Sequence, residues 1–378
     1  MPSDALRTLV SRFDAEVFDP TREVMRIRLE TIGDGAADAV IAAGTARLET
    51  PEDDEPDALL RADEATWERI ATDLRGGMDA FRASKLSVRY NLHAGIGFLA
   101  ATSDNREPGR LEFKRAAGLS YLRAGVGAPV VMLHGLGATK VSLLPTVAAL
   151  GPHFHAIAVD LPGHGDSDKP IGAPYDARYF ARSVVRFLDA LDIDRAHVVG
   201  NSLGGRVALE VGLRYPERVR RLGLLAPSMA WRRDRPWAPL LRLVRPELGL
   251  LQLAPRPVVE GIVRRIIPGA QDGWTAVGVD EFLRSYMTAR GRAAFYAAAR
   301  QIYLEEPEGD DGFWPRLRTL EPDALFVWGR QDQIVPLAFA RHVSDAVPGA
   351  RHLELDCGHV PQLERPREAH AALLEFFR

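Results

Sequence analysis

The feature that most constrains the fold of this chain is a series of short apolar segments that alternate with helical segments from residue 128 onward. The apolar segments are nearly continuous and cover residues 128–135, 155–160, 196–200, 221–227 and 324–329. Amphipathic segments such as 176–191 and 204–216 separate them. Strands that are buried on both faces by crossover helices have this composition. The pattern therefore predicts an α/β fold with a parallel sheet.

A serine stands between glycines at the point where one of these strands is expected to give way to a helix. The sequence GNSLGG, residues 200–205, follows the apolar segment and precedes an Ala- and Val-rich run. Gly, Asn and Ser are common in turns, and a turn alone accounts for their presence. The alternative is that Ser202 is a nucleophile on a bend so tight that neighbouring side chains are not tolerated. A serine nucleophile also needs a base and a group that orients the base.

An acid and a base occur where such partners are expected. Open α/β sheets bind ligands at the carboxyl ends of their strands. Asp332 follows the apolar segment 324–329, and His359 follows a further predicted strand at 352–356. The chain order Ser202, Asp332, His359 is that of one known arrangement of a Ser-His-Asp triad.

Two backbone N–H groups are expected to stabilise a developing oxyanion. One belongs to Leu203, which directly follows Ser202 at the start of a predicted helix. The other is assigned to Leu136 in the loop 134–137, which follows the first strand of the parallel sheet. His134 is expected to brace this loop rather than to take part in catalysis.

These motifs resemble those of the α/β-hydrolase fold family. The resemblance rests on MLHGLG (132–137), DLPGHGDSD (160–168), GNSLGGRVAL (200–209), WGRQDQIVP (328–336) and CGHVPQLERP (357–366), in the order of that family. It implies that Ser202 is the nucleophile, that Asp332 orients His359, and that residues 134–137 form the oxyanion hole. It also implies a mostly parallel sheet flanked by helices, and catalysis by these residues requires no metal or organic cofactor. The segment 229–315 interrupts the alternation of strands and helices with irregular helical sequence, which predicts a helical cap inserted over the sheet.

The serine also limits the reactions that the resemblance implies. Branches of the fold family that use aspartate at this position, haloalkane dehalogenases and epoxide hydrolases, are excluded. Esterases, lipases, thioesterases, carbon–carbon bond hydrolases and cofactor-free perhydrolases remain. We expect hydrolysis of an ester, thioester or other acyl bond of an apolar, lipid-like substrate. The GNSLGG sequence resembles that of hydrolases of ring-cleavage products, so carbon–carbon bond hydrolysis is one alternative, and a non-catalytic lipid-binding or carrier protein is another.

The N-terminal part of the chain has a different pattern. Apolar and polar residues alternate at 25–30 and at 86–93, which predicts two half-buried strands. Between them, residues 63–77 predict a helix with Asp63 as its N-cap. A further short helix is expected at 95–102. These elements predict a small α+β unit with antiparallel strands.

A polar stretch, 103–110, is typical of a linker and predicts domains at 1–105 and 106–378. The sequence TWERIATDLRGGMDAFRASKLSVRYNL (66–92) resembles the sterol-carrier-protein-2 family. That resemblance implies a small sheet covered by helices around an apolar tunnel for acyl chains or sterols. Lipid capture for the second domain is the functional interpretation. The alternative is a domain that dimerises or supports its neighbour.

Composition and charge exclude other classes of function. The formal net charge of −3 gives no basic field for binding nucleic acid. The single cysteine, Cys357, allows no intramolecular disulfide and is expected to be a small buried apolar group. The chain has no signal-peptide pattern and no apolar run of the roughly 18 residues that span a bilayer. We therefore expect a soluble, cytoplasmic protein.

The predicted cap carries a local positive charge. Residues 229–270 contain eight Arg and three acidic residues, a difference of +5. One interpretation is weak association with a membrane surface, an anionic lipid or a carboxylate-bearing substrate, through Arg232, Arg233 and Arg235. The other is a solvated cap helix whose Arg stems cover apolar surface.

Overall fold

The computed structural model describes residues 3–72, 85–231 and 272–378, with isolated positions between 240 and 265. Within this part of the chain, two β-sheets with flanking helices form the fold. No helix in the described ranges has the length and apolar character that crossing a bilayer requires. The part of the predicted helix 63–77 that follows Thr72 lies outside the described residues, as do Arg232, Arg233 and Arg235.

The N-terminal unit is built on a sheet of five strands among the described residues. Its elements are α1 (Asp4–Ser11), β1 (Val24–Thr31), β2 (Gly35–Ala42), β3 (Thr45–Glu49), β4 (Ala58–Ala62), α2 (Glu64–Thr72), β5 (Ser87–Arg89) and α3 (Leu92–Ala101). The strand order is β3-β2-β1-β4-β5. The expectation of purely antiparallel strands is wrong, because the chain crosses from β3 at one edge to β4, which runs parallel to β1.

Two predicted elements of this unit are confirmed. The alternating segment 25–30 lies in β1, where its apolar side chains are buried. The helix predicted at 63–77 is α2, which the structure describes as far as Thr72. Asp63 caps it, since its Oδ1 accepts a hydrogen bond of 2.8 Å from the N–H of Thr66.

The strand predicted at 86–93 is wrong beyond Arg89. Tyr90 has a φ of 68°, which ends the extended conformation. Asn91 then caps helix α3, because its side chain accepts a hydrogen bond of 2.9 Å from the N–H of Ala94. The short helix expected directly afterwards is confirmed as α3, which begins three residues earlier than predicted.

The C-terminal unit is built on a sheet of eight strands among the described residues. Its elements are β6 (Glu112–Ala116), β7 (Leu119–Ala124), β8 (Pro129–Leu133), α4 (Leu144–Leu150), β9 (His155–Val159), α5 (Ala177–Ala190), β10 (Ala196–Asn201), α6 (Leu203–Arg214), β11 (Val219–Leu225), α7 (Asp272–Tyr286), α8 (Ala289–Leu304), α9 (Phe313–Leu317), β12 (Ala324–Gly329), α10 (Ala338–Ala346), β13 (Arg351–Leu355), α11 (Pro361–Glu364) and α12 (Pro366–Phe377). The strand order is β13-β12-β11-β10-β8-β9-β7-β6.

The predicted mostly parallel sheet is confirmed. Strands β8 to β13 pair in parallel, and the antiparallel strands β6 and β7 extend the sheet at one edge. Helices α7 and α8 lie between β11 and β12, within the segment 229–315 that was predicted to form a cap. The carboxyl ends of the parallel strands meet at one edge of the sheet, where the candidate residues are expected.

The N-terminal unit packs directly against the edge of the large sheet. The N–H of Phe113 in β6 donates to the carbonyl of Val17 at 2.7 Å, and the N–H of Asp19 donates to the carbonyl of Phe113. Helix α3 is buried along its whole length. Residues of both units form one continuous apolar cluster, with Phe18 and Phe113 among its members. The domain division at residues 105 and 106 stays a prediction.

Replacing Gly204 at the start of α6 tests the close packing of this helix against the sheet. A Cβ at Gly204 would lie 2.2 Å from the carbonyl oxygen of Leu133, which is backbone and cannot move aside cheaply. We expect Gly204→Ala to lower the free energy of unfolding by about 3 kcal/mol in urea titrations. Gly349→Ala is the matched control, because nothing lies within 4 Å of its Cβ position. Equal stability of the two variants would contradict the packing described.

Candidate active site

Ser202 lies on a strained bend between β10 and α6. Its φ is 52° and its ψ is −116°, a conformation that costs a non-glycine residue about 1–3 kcal/mol. Glycines surround the bend because side chains do not fit. A Cβ at Gly200 would lie 2.2 Å from the carbonyl oxygen of Gly204, and one at Gly205 would lie 2.6 Å from the Cβ of Pro227. An ordinary turn does not require this strain at the serine.

The structure brings Asp332 and His359 into contact. Asp332 Oδ2 lies 2.7 Å from Nδ1 of His359. The other carboxylate oxygen accepts hydrogen bonds of 2.8 and 2.9 Å from the N–H groups of Ile334 and Val335, which fixes the direction of the carboxylate. Because a carboxylate accepts at Nδ1, that nitrogen carries the proton and the lone pair lies on Nε2. The ring is thereby oriented as a base.

The hydroxyl of Ser202 lies at the same end of the sheet. Its Oγ is 3.3 Å from Oγ of Ser228, and no hydrogen bond joins it to His359 within the described ranges. Asn201 connects the two loops instead, since its Nδ2 donates to the carbonyls of Leu225 and His359 at 2.9 and 3.2 Å. Hydrogen bonds between a nucleophile and its base are often long without substrate and shorten when substrate binds.

Ser228 and Asn201 are site residues that the sequence interpretation missed. The N–H of Ser228 donates to the carbonyl of Ser202 at 2.9 Å, and Ala226, with a φ of 43°, turns the chain after β11. A signal for Ser228 was present, because it follows a strand end just as Asp332 does. Asn201 was part of the quoted motif but received no role.

The loop 134–137 lies against the serine. A Cβ at Gly135 would be 3.3 Å from the Cβ of Ser202. The N–H of Leu136 in this loop and the N–H of Leu203 at the start of α6 donate to no acceptor within the part of the chain that the structure describes. The two N–H groups predicted to bind an oxyanion therefore have no acceptor among the described residues.

The bracing role expected for His134 is confirmed. Its Nε2 accepts a hydrogen bond of 3.0 Å from the N–H of Leu161, and its Nδ1 donates to the carbonyl of Gly135 at 2.8 Å. Burial lowers the pKa of the imidazole, which keeps the ring neutral and Nε2 able to accept. The ring ties the oxyanion loop to the loop after β9.

Aromatic side chains of the cap helices cover the oxyanion loop. At Gly137, where φ is 75°, a Cβ would lie 2.9 Å from the ring of Phe282 in α7 and 3.2 Å from that of Phe295 in α8. The rings of Phe282 and Tyr286 stack with centroids 4.9 Å apart. These rings place apolar surface against the loop 134–137.

Cys357 is buried two residues before His359, as the sequence interpretation expected. Burial raises the pKa of its thiol to about 12. Within the described ranges no group of three His, Cys, Asp or Glu residues is arranged to hold a metal ion.

Known proteins share the fold. Residues 128–256 match the model of a family described as alpha/beta hydrolase fold. The chain has the α/β-hydrolase fold. This hydrolase-fold chain is similar to a solved bacterial membrane phospholipase A, with a TM-score of 0.58, 27% identity, and coverage of 71% of this chain and 86% of the other.

Two curated relatives differ in the reactions their names state. A 2-hydroxy-6-oxo-6-phenylhexa-2,4-dienoate hydrolase of Comamonas testosteroni is 29% identical over 292 residues, which are 69% of this chain and 91% of that protein. The dihydrolipoyllysine-residue acetyltransferase component of the acetoin cleaving system of Cupriavidus necator is 30% identical over 270 residues and 67% of this chain. This α/β-hydrolase-fold chain spans 64% of the length of the Cupriavidus protein.

The buried thiol gives a test of the packing around His359. With a pKa of about 12, roughly one Cys357 side chain in 10⁴ is a thiolate at pH 8, and the sulfur is also shielded from solvent. We expect no reaction of the native protein with a disulfide-exchange reagent at pH 8 on the scale of an hour. Complete reaction in concentrated guanidinium chloride is the control. Rapid reaction of the native protein would show that this loop is open.

Proposed function

We propose that this chain is a serine hydrolase that cleaves an acyl bond of an apolar substrate. The observation that carries the proposal is the 2.7 Å contact between Asp332 and His359 beside the strained Ser202. Ser202 attacks the carbonyl carbon, and His359 takes the serine proton at Nε2. Asp332 holds the tautomer, and the N–H groups of Leu136 and Leu203 bind the oxyanion.

The reaction runs in two halves, as for other serine nucleophiles. In the first half Oγ of Ser202 forms a bond to the carbonyl carbon, and the tetrahedral intermediate collapses to an acyl-enzyme. His359 then gives its proton to the leaving alcohol or thiol. In the second half His359 takes a proton from water, the resulting hydroxide attacks the acyl carbon, and the carboxylic acid leaves as the serine is reprotonated.

Aromatic side chains over the site support an apolar substrate. Phe282 and Phe295 lie directly above the oxyanion loop, so an acyl group held there contacts aromatic surface rather than water. The similarity to a phospholipase A supports an ester with an apolar acyl chain. Capture of such a lipid by residues 1–105 and association of the segment 229–270 with an anionic surface remain separate predictions.

Carbon–carbon bond hydrolysis is the second candidate. It is favoured by the Comamonas relative, whose name gives a 2-hydroxy-6-oxo-dienoate as substrate, and by the GNSLGG sequence at Ser202. The same serine and oxyanion donors would act at a ketone instead of an ester. The leaving group is then a carbon, which must take up a proton to complete the cleavage, whereas the leaving oxygen of an ester takes the proton of His359 and departs as an alcohol.

A substrate series with active-site variants tests the proposal. We expect hydrolysis of 4-nitrophenyl esters from acetate to palmitate with a preference for longer chains. We expect Ser202→Ala and Asp332→Asn each to lower kcat by a factor on the order of 10³ or more, because the triad residues act as a unit.

Ser344→Ala is the matched control, because that hydroxyl lies on the exposed side of α10 and donates to the carbonyl of Ala340. It should leave the rates unchanged. Turnover of a 2-hydroxy-6-oxo-6-phenyl-dienoate that depends on Ser202, without ester hydrolysis, would transfer the proposal to the second candidate. Folded protein with no Ser202-dependent activity on either substrate would contradict both.

A further inference from the structure

Two adjacent acidic residues of cap helix α7 are buried against the N-terminal unit. Asp280 accepts hydrogen bonds of 2.6 and 3.3 Å from the guanidinium of Arg89 and one of 3.2 Å from the N–H of Tyr90. Glu281 accepts a hydrogen bond of 2.7 Å from the N–H of Leu92. The two carboxylates are 94–95% buried. Donors within residues 89–92 thus bind two carboxylates of the cap helix.

Glu281 also reaches the loop that follows the oxyanion donors. Its second oxygen accepts a hydrogen bond of 3.1 Å from the hydroxyl of Thr139, which lies two residues after Gly137. The same oxygen lies 3.0 Å from Nη2 of Arg284. One carboxylate therefore joins the N-terminal unit, the cap helix and the segment that directly follows the oxyanion loop.

A chain of buried ion pairs continues from the cap helix into the large sheet. Arg284 donates to both carboxylate oxygens of Asp166 at 2.6 and 3.2 Å. Asp166 also accepts from Nζ of Lys140 at 3.1 Å, and that Nζ donates to Asp160 at 2.6 Å. Burial opposes the charge of Arg284, but the carboxylates of Asp166 and Glu281 outweigh it and raise its pKa.

Buried charges of this kind specify one arrangement of the elements that carry them. When one partner of a buried pair is removed, the other is left as an uncompensated charge, so the pairs hold only in the geometry that satisfies all of them. Two of the donors on the N-terminal side are backbone N–H groups, those of Tyr90 and Leu92, at a turn where Tyr90 has a φ of 68° and Asn91 caps α3.

We propose that the N-terminal unit is a positioning element of the hydrolase, which uses Arg89 and residues 90–92 to fix helix α7 and, through Glu281 and Thr139, the oxyanion loop. The expected effect of this contact on catalysis rests on the proposed function, whereas its expected effect on the conformation of the oxyanion loop does not. A small misplacement of oxyanion donors affects the transition state more than the bound substrate. The contact therefore acts on kcat rather than on KM.

The test uses the full chain with variants on both sides of Glu281. Arg89→Ala removes the pair with Asp280, and Thr139→Val removes the hydroxyl that joins Glu281 to the loop. Arg89→Lys keeps one charged donor. Arg47→Ala is the matched control, because Arg47 is an arginine of the same unit in a solvent-exposed pair with Glu49.

Two readouts are measured for each variant: kcat and KM for 4-nitrophenyl acetate and palmitate, and amide hydrogen exchange of a peptide that covers residues 135–140. We expect Arg89→Ala and Thr139→Val to lower kcat about 10-fold for both esters, with KM changed less than about 2-fold, and to speed exchange in the peptide. We expect Arg89→Lys to restore part of the loss. If Arg89→Ala does not fold, the same two readouts are compared for Thr139→Val and Arg89→Lys.

Exchange and kcat equal to those of Arg47→Ala would overturn the proposal and leave the contact a purely structural one. A raised KM for the palmitate ester alone would also overturn it and would favour a lipid-delivery role for the N-terminal unit. Faster exchange at 135–140 in a protein that hydrolyses neither ester would support the positioning contact while contradicting the proposed function.

Discussion

The tight bend of the backbone at Ser202 is the constraint on which the site depends. Helix α6 lies so close to β8 that a Cβ at Gly204 would meet the carbonyl oxygen of Leu133 at 2.2 Å. The strain of about 1–3 kcal/mol at the serine persists because packing on both sides of the bend determines its geometry. The same packing sets Ser202 beside the oxyanion loop, at the edge of the sheet where Asp332 and His359 emerge.

The sequence predicted the sheet and the candidate site well, for a physical reason. Strands buried on both faces are continuous apolar runs, and candidate residues at their carboxyl ends are expected at one edge of the sheet, so the sequence singled out Ser202, Asp332 and His359 as candidates. The N-terminal strands were harder to find. Strand β2 is buried at five consecutive residues and shows no alternation. At 86–93 the alternation was present, but the turn at Tyr90 ended the strand.

Contacts between distant segments left no local signal. Arg89 and Asp280 are 191 residues apart, and each resembles an ordinary charged surface residue when its own neighbours are read. The pairing becomes visible only when the cap helix is placed against β5 and the turn that follows it. Burial changes what such a pair does. A buried pair specifies one geometry of the elements that carry it, whereas a solvated pair contributes little to stability. The cap is held by charges at one side and by aromatic rings over the oxyanion loop.

The central claim is that Ser202 is activated by His359 and Asp332, and covalent labelling by a fluorophosphonate tests it most directly. Only an activated serine reacts quickly with such a probe. The account predicts one adduct per chain, mapped to Ser202 by mass spectrometry, with labelling slowed by a factor on the order of 10³ in Asp332→Asn. Folded protein that forms no adduct, or an adduct at Ser228 instead, would contradict it.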